Sequence, residues 1–145
     1  MKLFSAIVLL LVSTVCFGQN GGKRVMGPVT TTRGLVLKEG DILRFGKGSL
    51  SSGWYKNAFT SIKRIGQKDG QLDEGYAYVT TTVREFYEIG SGQNKRLVAL
   101  VRPKGGISIS YKAVDLDPAI DSKEIISVNG VAIPKLLPKK DSKKL

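Results

Sequence analysis

Apolar and polar residues alternate at short range through most of this chain, and glycine-rich turns repeatedly interrupt the alternation. A period of two is the signature of strands whose side chains point to opposite faces of a sheet. The clearest case runs from Gly34 to Ser49, GLVLKEGDILRFGKGS. Leu35 and Leu37 precede a Lys38-Glu39-Gly40-Asp41 turn, and Ile42, Leu43 and Phe45 follow it. Gly40 suits the positive φ that a tight reversal needs, and Asp41 can accept hydrogen bonds from the turn backbone. The pattern predicts a β-hairpin.

Other segments read the same way. Val25 to Thr32 predicts a first strand, confined by Pro28 to a start or an edge. Trp54 to Ile65 fits neither period and predicts a strand or a short irregular helix. Tyr76 to Ile89 is a long β signal. Ala77, Val79, Thr81, Val83 and Tyr87 form its more apolar, core-facing side, with Tyr78, Thr80, Thr82, Arg84 and Phe86 opposite. Arg96 to Arg102 is apolar on both faces, which marks a central strand. Ile107 to Val114 alternates, with Ile107, Ile109, Tyr111 and Ala113 inward and Ser108, Ser110 and Lys112 outward. Short turns between these last three strands predict an antiparallel meander.

Near the C-terminus the period changes. Asp117 suits an N-cap and Pro118 a first helical position, which predicts a short helix over 117–125. Asn129-Gly130 between apolar residues predicts a small final hairpin. The picture is an all-β domain, a small antiparallel barrel or roll of about six or seven strands with one short helix near the C-terminus. It spans 25–133, after a flexible leader at 19–24 and before a basic disordered tail at 134–145.

The N-terminus adds a compartment. Lys2, the apolar run Leu3 to Val15 and then Cys16-Phe17-Gly18 read as a secretory signal peptide over 1–18, with cleavage after Gly18. The run is shorter than the roughly 20 residues of a membrane-spanning helix. Export to the periplasm or the exterior follows. An outer-membrane lipoprotein acylated at Cys16 is the secondary alternative, against which Val15 and Ser13 depart from the usual lipobox. The remaining chain, about 127 residues, suffices for one domain with its own core.

Composition then removes chemistries. Cys16 is the only cysteine and there is no histidine, so the exported chain offers no disulfide, thiol nucleophile, haem attachment, usual zinc site or histidine-based triad. No cofactor motif is present. Gly46-Lys47-Gly48-Ser49 lacks the Gly-Lys-Ser/Thr and following helix of a phosphate-binding loop, and reads as a plain loop. Asp73 and Glu74 are neighbours that point apart, unlike a glycosidase pair. Asp115 and Asp117 match two positions of a calcium loop, but Pro118 to Ile120 and the missing glycine do not. A non-catalytic protein is expected.

Loss of Lys2 with the leader leaves 22 basic against 12 acidic residues, a net charge of +10. Such a field attracts polyanions. Export argues against nucleic acid and for an anionic envelope glycan or lipid. The candidate contacts are Trp54 and Tyr55 beside the glycine-rich loop, with Lys47, Lys56, Lys63 and Arg64 around them. The tail lysines Lys135, Lys139, Lys140, Lys143 and Lys144 could grip an anionic membrane surface. Opposed to this is an ordinary reading: Trp54 closes one end of the core, and the charges are solvated.

GLVLKEGDILRFGKGS, a β meander and then DLDPAIDSKEI before a polar end together resemble small secreted Bacteroidota proteins of unassigned function. The resemblance implies an exported β-rich domain and carries no site residues. Three classes remain in view. They are a binding or structural module of the cell envelope, an adaptor docking another envelope protein through a sheet edge, and a small carboxylate-based hydrolase.

Overall fold

The computed structural model describes residues 22–104 and 110–138. The predicted signal peptide, Ile107 and Ile109 of the predicted strand, and the lysines from Lys139 onward lie outside the described residues. The fold is an all-β roll with two short helices. Its sheet stays open, so the barrel alternative does not hold, and it is larger than the pattern predicts. The strands are β1 (Lys23–Val25), β2 (Val29–Thr30), β3 (Val36–Leu37), β4 (Ile42–Phe45), β5 (Ala58–Phe59) and β6 (Thr80–Ile89). They continue with β7 (Arg96–Pro103), β8 (Lys112–Asp115), β9 (Ile125–Val128) and β10 (Val131–Ala132). Helix α1 covers Leu116–Asp121 and α2 covers Ile133–Leu136.

The meander β6-β7-β8 is the centre of an antiparallel sheet ordered β10-β9-β4-β6-β7-β8-β5. β1 and β4 share one edge of β6, β4 beside Thr80 to Thr82 and β1 beside Phe86 to Glu88. β7 is buried on both faces, as its unbroken apolar run predicts: Ala99 and Val101 join one core, Val98 and Leu100 another. The main core gathers Leu43, Phe45, Val83, Phe86 and Val114 beneath Val29, Leu35 and Leu37 of the separate β2–β3 ribbon. Phe45 meets Tyr55 edge to face, with ring centroids 5.3 Å apart. The second, smaller core packs Phe59, Val98, Leu100 and Ala113 against Ile62 and Ile65 on the other side of the sheet.

Four local expectations are corrected. The Lys38–Asp41 turn forms, with Gly40 at φ +91° and Lys38 N donating to Asp41 Oδ2 at 2.8 Å. It does not close a hairpin, because Gly40 N bonds Val83 O and Val83 N bonds Asp41 O. The turn is thus stitched to β6, and β3 pairs with β2 instead of β4. In β6 a register shift between Val83 and Glu85 breaks the alternation. Arg84 is the extra residue, so Phe86 enters the core and Tyr87 joins the second cluster. In β8 both faces are buried: Ala113 lies inward as predicted, in the second core, but Lys112 is buried too, opposite Val101, and Tyr111 is exposed. The Lys112 ammonium lies 6.0 Å from the Tyr76 ring centre and donates to Ser110 Oγ, which makes its burial tolerable.

The fourth concerns the helical ends. Asp117 does not cap α1 but sits in its first turn, where its Oδ1 accepts from Thr32 N and Thr32 Oγ1, both at 2.8 Å. Pro118 also falls in that turn, whose N–H groups have no intrahelical partners. At the C-terminus, Pro134 to Leu136 are helical and Leu137 packs on the core, so this part of the expected tail belongs to the domain. The Asn129-Gly130 reversal joins β9 to β10 as predicted, with both residues at positive φ.

Candidate binding face

Adjacent aromatics in an extended segment point opposite ways, and Trp54 and Tyr55 do so. Tyr55 is wholly buried, its hydroxyl donating to the Gly46 carbonyl, so it is a core residue and not a surface contact. Burial, and then the nearby Glu124 charge, push its phenol up to about 12. Trp54 is 39% exposed at the end of the loop. That loop is tightly folded: a Cβ on Gly48 would collide with the carbonyl oxygens of Gly53 and Trp54. Lys47, Lys56, Lys63 and Arg64 are exposed. Lys63 and Arg64 lie in a 3-10 turn, and Arg64 is tied to Asp69 at 2.8 Å. Lys135 is exposed on α2.

The loop is held from below by a residue the sequence does not advertise. Glu124 is fully buried, yet every side of its carboxylate is occupied. Oε2 accepts from Lys56 N at 2.7 Å and Ser49 N at 3.4 Å. Oε1 accepts from Asn57 N at 3.0 Å, Asn57 Nδ2 at 2.6 Å and Ser122 Oγ at 3.1 Å. A buried carboxylate with this many donors is a strut, and nothing in it is left for chemistry.

The more suggestive surface lies on the outer face of the other half of the sheet. Where the second core ends, no layer formed by the described residues covers the outer face of β4, β9 and the start of β6, and Arg44 is exposed there beside the half-buried Ile42, Thr80, Ile126 and Ser127. Register places Ser127, Arg44 and Thr80 in one row across three strands, and Ile42, Thr82 and Arg102 in the next. A cleft of about 530 Å³ opens here, floored by Ile42 and Ile126 and walled by Arg44, Tyr78, Thr80 and Ser127. Arg44 lies over the Tyr78 ring, 5.7 Å from its centre, and its Nε donates to Tyr78 O at 3.4 Å. Among the described residues no carboxylate lines the cleft. Tyr78 is 49% exposed and held at φ +64°. For a bulky residue that conformation is strained, by about 1 kcal/mol or more. Neither Arg44 nor Tyr78 stood out in the sequence; the signal available was an outward arginine in a strand otherwise rich in apolar residues.

A second cleft, of about 470 Å³, lies at the other end of the sheet, between β8 and the 56–71 segment. Lys56, Lys95, Arg96, Asp115 and Asp117 line it with Phe59. Asp115 is 7% exposed, and burial above all, with the Asp117 charge adding, raises its carboxyl pKa while Arg96 opposes the rise. A folded carboxyl that holds its proton more tightly than the unfolded chain loses stability as pH climbs from the ordinary 3.8 to the raised value. The half-exposed Arg96, 3.7 Å away, offsets little of that. Asp115→Asn is therefore expected to leave stability unchanged below the window and to raise it relative to wild type above. Urea midpoints at pH 3 and pH 7 check this; a variant less stable only at pH 7 would contradict it.

Among the described residues no three acidic side chains converge as a cation site, and no helix is long and apolar enough to cross a membrane. No protein family, curated protein or solved structure matches the chain.

Proposed function

We propose that this protein is an exported, non-catalytic binding module of the cell envelope whose open sheet face takes an anionic glycan. The observation that carries the reading is the Arg44–Tyr78 pair, mounted on strained backbone above a row of hydroxyls. Strain of this kind persists where surrounding structure enforces it, and it clusters at ligand sites. A sugar ring has an apolar face for Tyr78 or Ile126, hydroxyls for Thr80 and Ser127, and in acidic sugars a carboxylate or sulfate for Arg44. Arg102 and Arg84 make no ion pair among the described residues and extend the positive field. The cleft is shallow and amphipathic, which favours a sugar over a bilayer.

The test is binding to an immobilised uronic-acid polymer, to a neutral polymer and to anionic vesicles, across a salt series. Wild type is expected to hold the acidic polymer and to release it as salt rises. Arg44→Ala should weaken binding about tenfold, which is about 1.4 kcal/mol. Tyr78→Asn should weaken it too, while leaving stability equal or higher because asparagine accepts positive φ more readily. A chain ending at Pro138 should bind as the full chain does. Equal binding to the neutral polymer, binding to vesicles alone, or indifference to Arg44→Ala would refute the proposal.

One observation favours the adaptor reading. β10 is a sheet edge, and Val131, Val36 and Leu136, all exposed, surround an apolar groove of about 530 Å³ beside it. The opposite edge is closed, since Thr60 N bonds Gly70 O and Leu72 N bonds Ala58 O alongside β5. Two residues of open edge offer few backbone hydrogen bonds to a partner strand, so the sheet face is the stronger candidate.

A further inference from the structure

The domain buries two carboxylates in or near one cleft and treats them oppositely. Glu124 accepts five hydrogen bonds. Asp115, also buried at the end of β8 though less completely, accepts none with its side chain among the described residues, and its one ion pair among them, to Arg96, is 3.7 Å long. Every fully enclosed side-chain oxygen and nitrogen among the described residues has a hydrogen-bond partner. The Asp115 oxygens must therefore keep a narrow contact with solvent, and the cleft they line supplies it. A largely desolvated acceptor whose only donors are confined solvent and a long ion pair costs free energy that a ligand's donor could recover.

The groups around Asp115 define that ligand further. Asp117, the nearest carboxylate, is already committed to Thr32. Lys95 reaches Glu88 only at 4.0 Å, and Lys56 makes no ion pair among the described residues. The backbone N–H groups of Lys56 and Asn57 are fixed by Glu124, so this wall of the cleft is rigid. One side of the cleft thus offers a carboxylate met only by a long ion pair and by confined solvent, and the rim offers under-used cations, with Phe59 as apolar lining. We propose that the cleft binds an amino-acid zwitterion, with the ammonium donating to Asp115 and the carboxylate held by Lys56 and Arg96. The same group occurs in a free amino acid and at the end of a diamino-acid side chain within a peptide. This site stands apart from the sheet face and does not depend on it.

The test is an NMR titration of the full domain with glycine, alanine and lysine, with methylammonium and acetate as half-ligands and Nα-blocked lysine amide as a probe lacking the α-zwitterion. The expected result is saturable movement of the Asn57, Arg96 and Asp115 amides and of the Asp115 carboxyl carbon with the amino acids. Methylammonium, acetate and the blocked amide should bind at least tenfold more weakly. A branched peptide ending in a free diamino-acid zwitterion, if it binds tenfold tighter than lysine, assigns the peptide source; equal affinity assigns the free amino acid. Asp115→Asn should lose at least tenfold in affinity while staying folded. Lys56→Gln changes an exposed side chain and so should keep the fold while losing a similar factor. Acetate matching the amino acids, Asp115→Asn binding as wild type, or no saturable shift with any probe would each overturn the proposal.

Discussion

Replacing Glu124 with alanine is expected to destabilise the domain by at least about 3 kcal/mol, because several buried donors lose their acceptor at once. Lys56 N, Asn57 N and Asn57 Nδ2 all point at this carboxylate within 3.0 Å. Glutamine separates hydrogen bonding from packing, since it fills the same volume. With its carbonyl toward Asn57, its amide would face the Lys56 N–H, donor against donor. Glu124→Gln should therefore cost about 2 kcal/mol despite its shape. Urea unfolding gives both values from midpoint shifts at constant slope. Hydrogen exchange adds a local readout, since the Lys56 and Asn57 amides should lose protection before the β6–β7 ladder does. A glutamine variant as stable as wild type would show that volume, not charge, is what the site requires. The same strut fixes the wall of the Asp115 cleft, so either substitution should also blur whatever specificity the cleft has.

What was legible in the sequence was local. Positions 96–102 read as a two-sided strand because the apolar run is unbroken, and Asn129-Gly130 read as a reversal because its backbone conformation favours those residues. The Lys38–Asp41 turn was legible, but its consequence was not. Whether a turn closes a hairpin depends on what else bonds its backbone, here Val83, more than forty residues away. Tyr55 and Trp54 were indistinguishable for a similar reason, since alternation says that one of two neighbours is buried but not which. Glu124 falls within the helix predicted over 117–125 and shows no sign there of its donors, which come from a segment near residue 56. The Arg44–Tyr78 pair likewise joins positions 34 residues apart. Features that depend on which strands become neighbours carry no short-range signature, and both candidate binding sites are of that kind.

Long β6 offers the sharpest test of how far local pattern governs this fold. Strict alternation puts Tyr87 with Thr81 and Val83 on the core face and Phe86 outside. The structure puts Phe86 inside, fully buried, because Arg84 is an extra residue opposite the Val101–Leu100 step of β7. Phe86→Ala is accordingly expected to cost about 3–5 kcal/mol. Tyr87 is only partly buried, packs in the smaller cluster and bonds Glu85, so Tyr87→Ala should cost clearly less. Deleting Arg84 makes the stronger claim. Val83 would then be followed directly by Glu85, and ordinary alternation alone would keep Val83 and Phe86 inward and Glu85 outward. The deletion should be tolerated, with a melting temperature within a few degrees of wild type. Deleting Thr82 instead would shift the faces of every residue on one side of the gap, and should unfold the domain. If Tyr87→Ala proved the costlier substitution, or if loss of Arg84 were as damaging as loss of Thr82, the bulge would not be what carries Phe86 into the core. The strand would have to reach its register through contacts at its ends, with β1 on Phe86 to Glu88 as the first to examine.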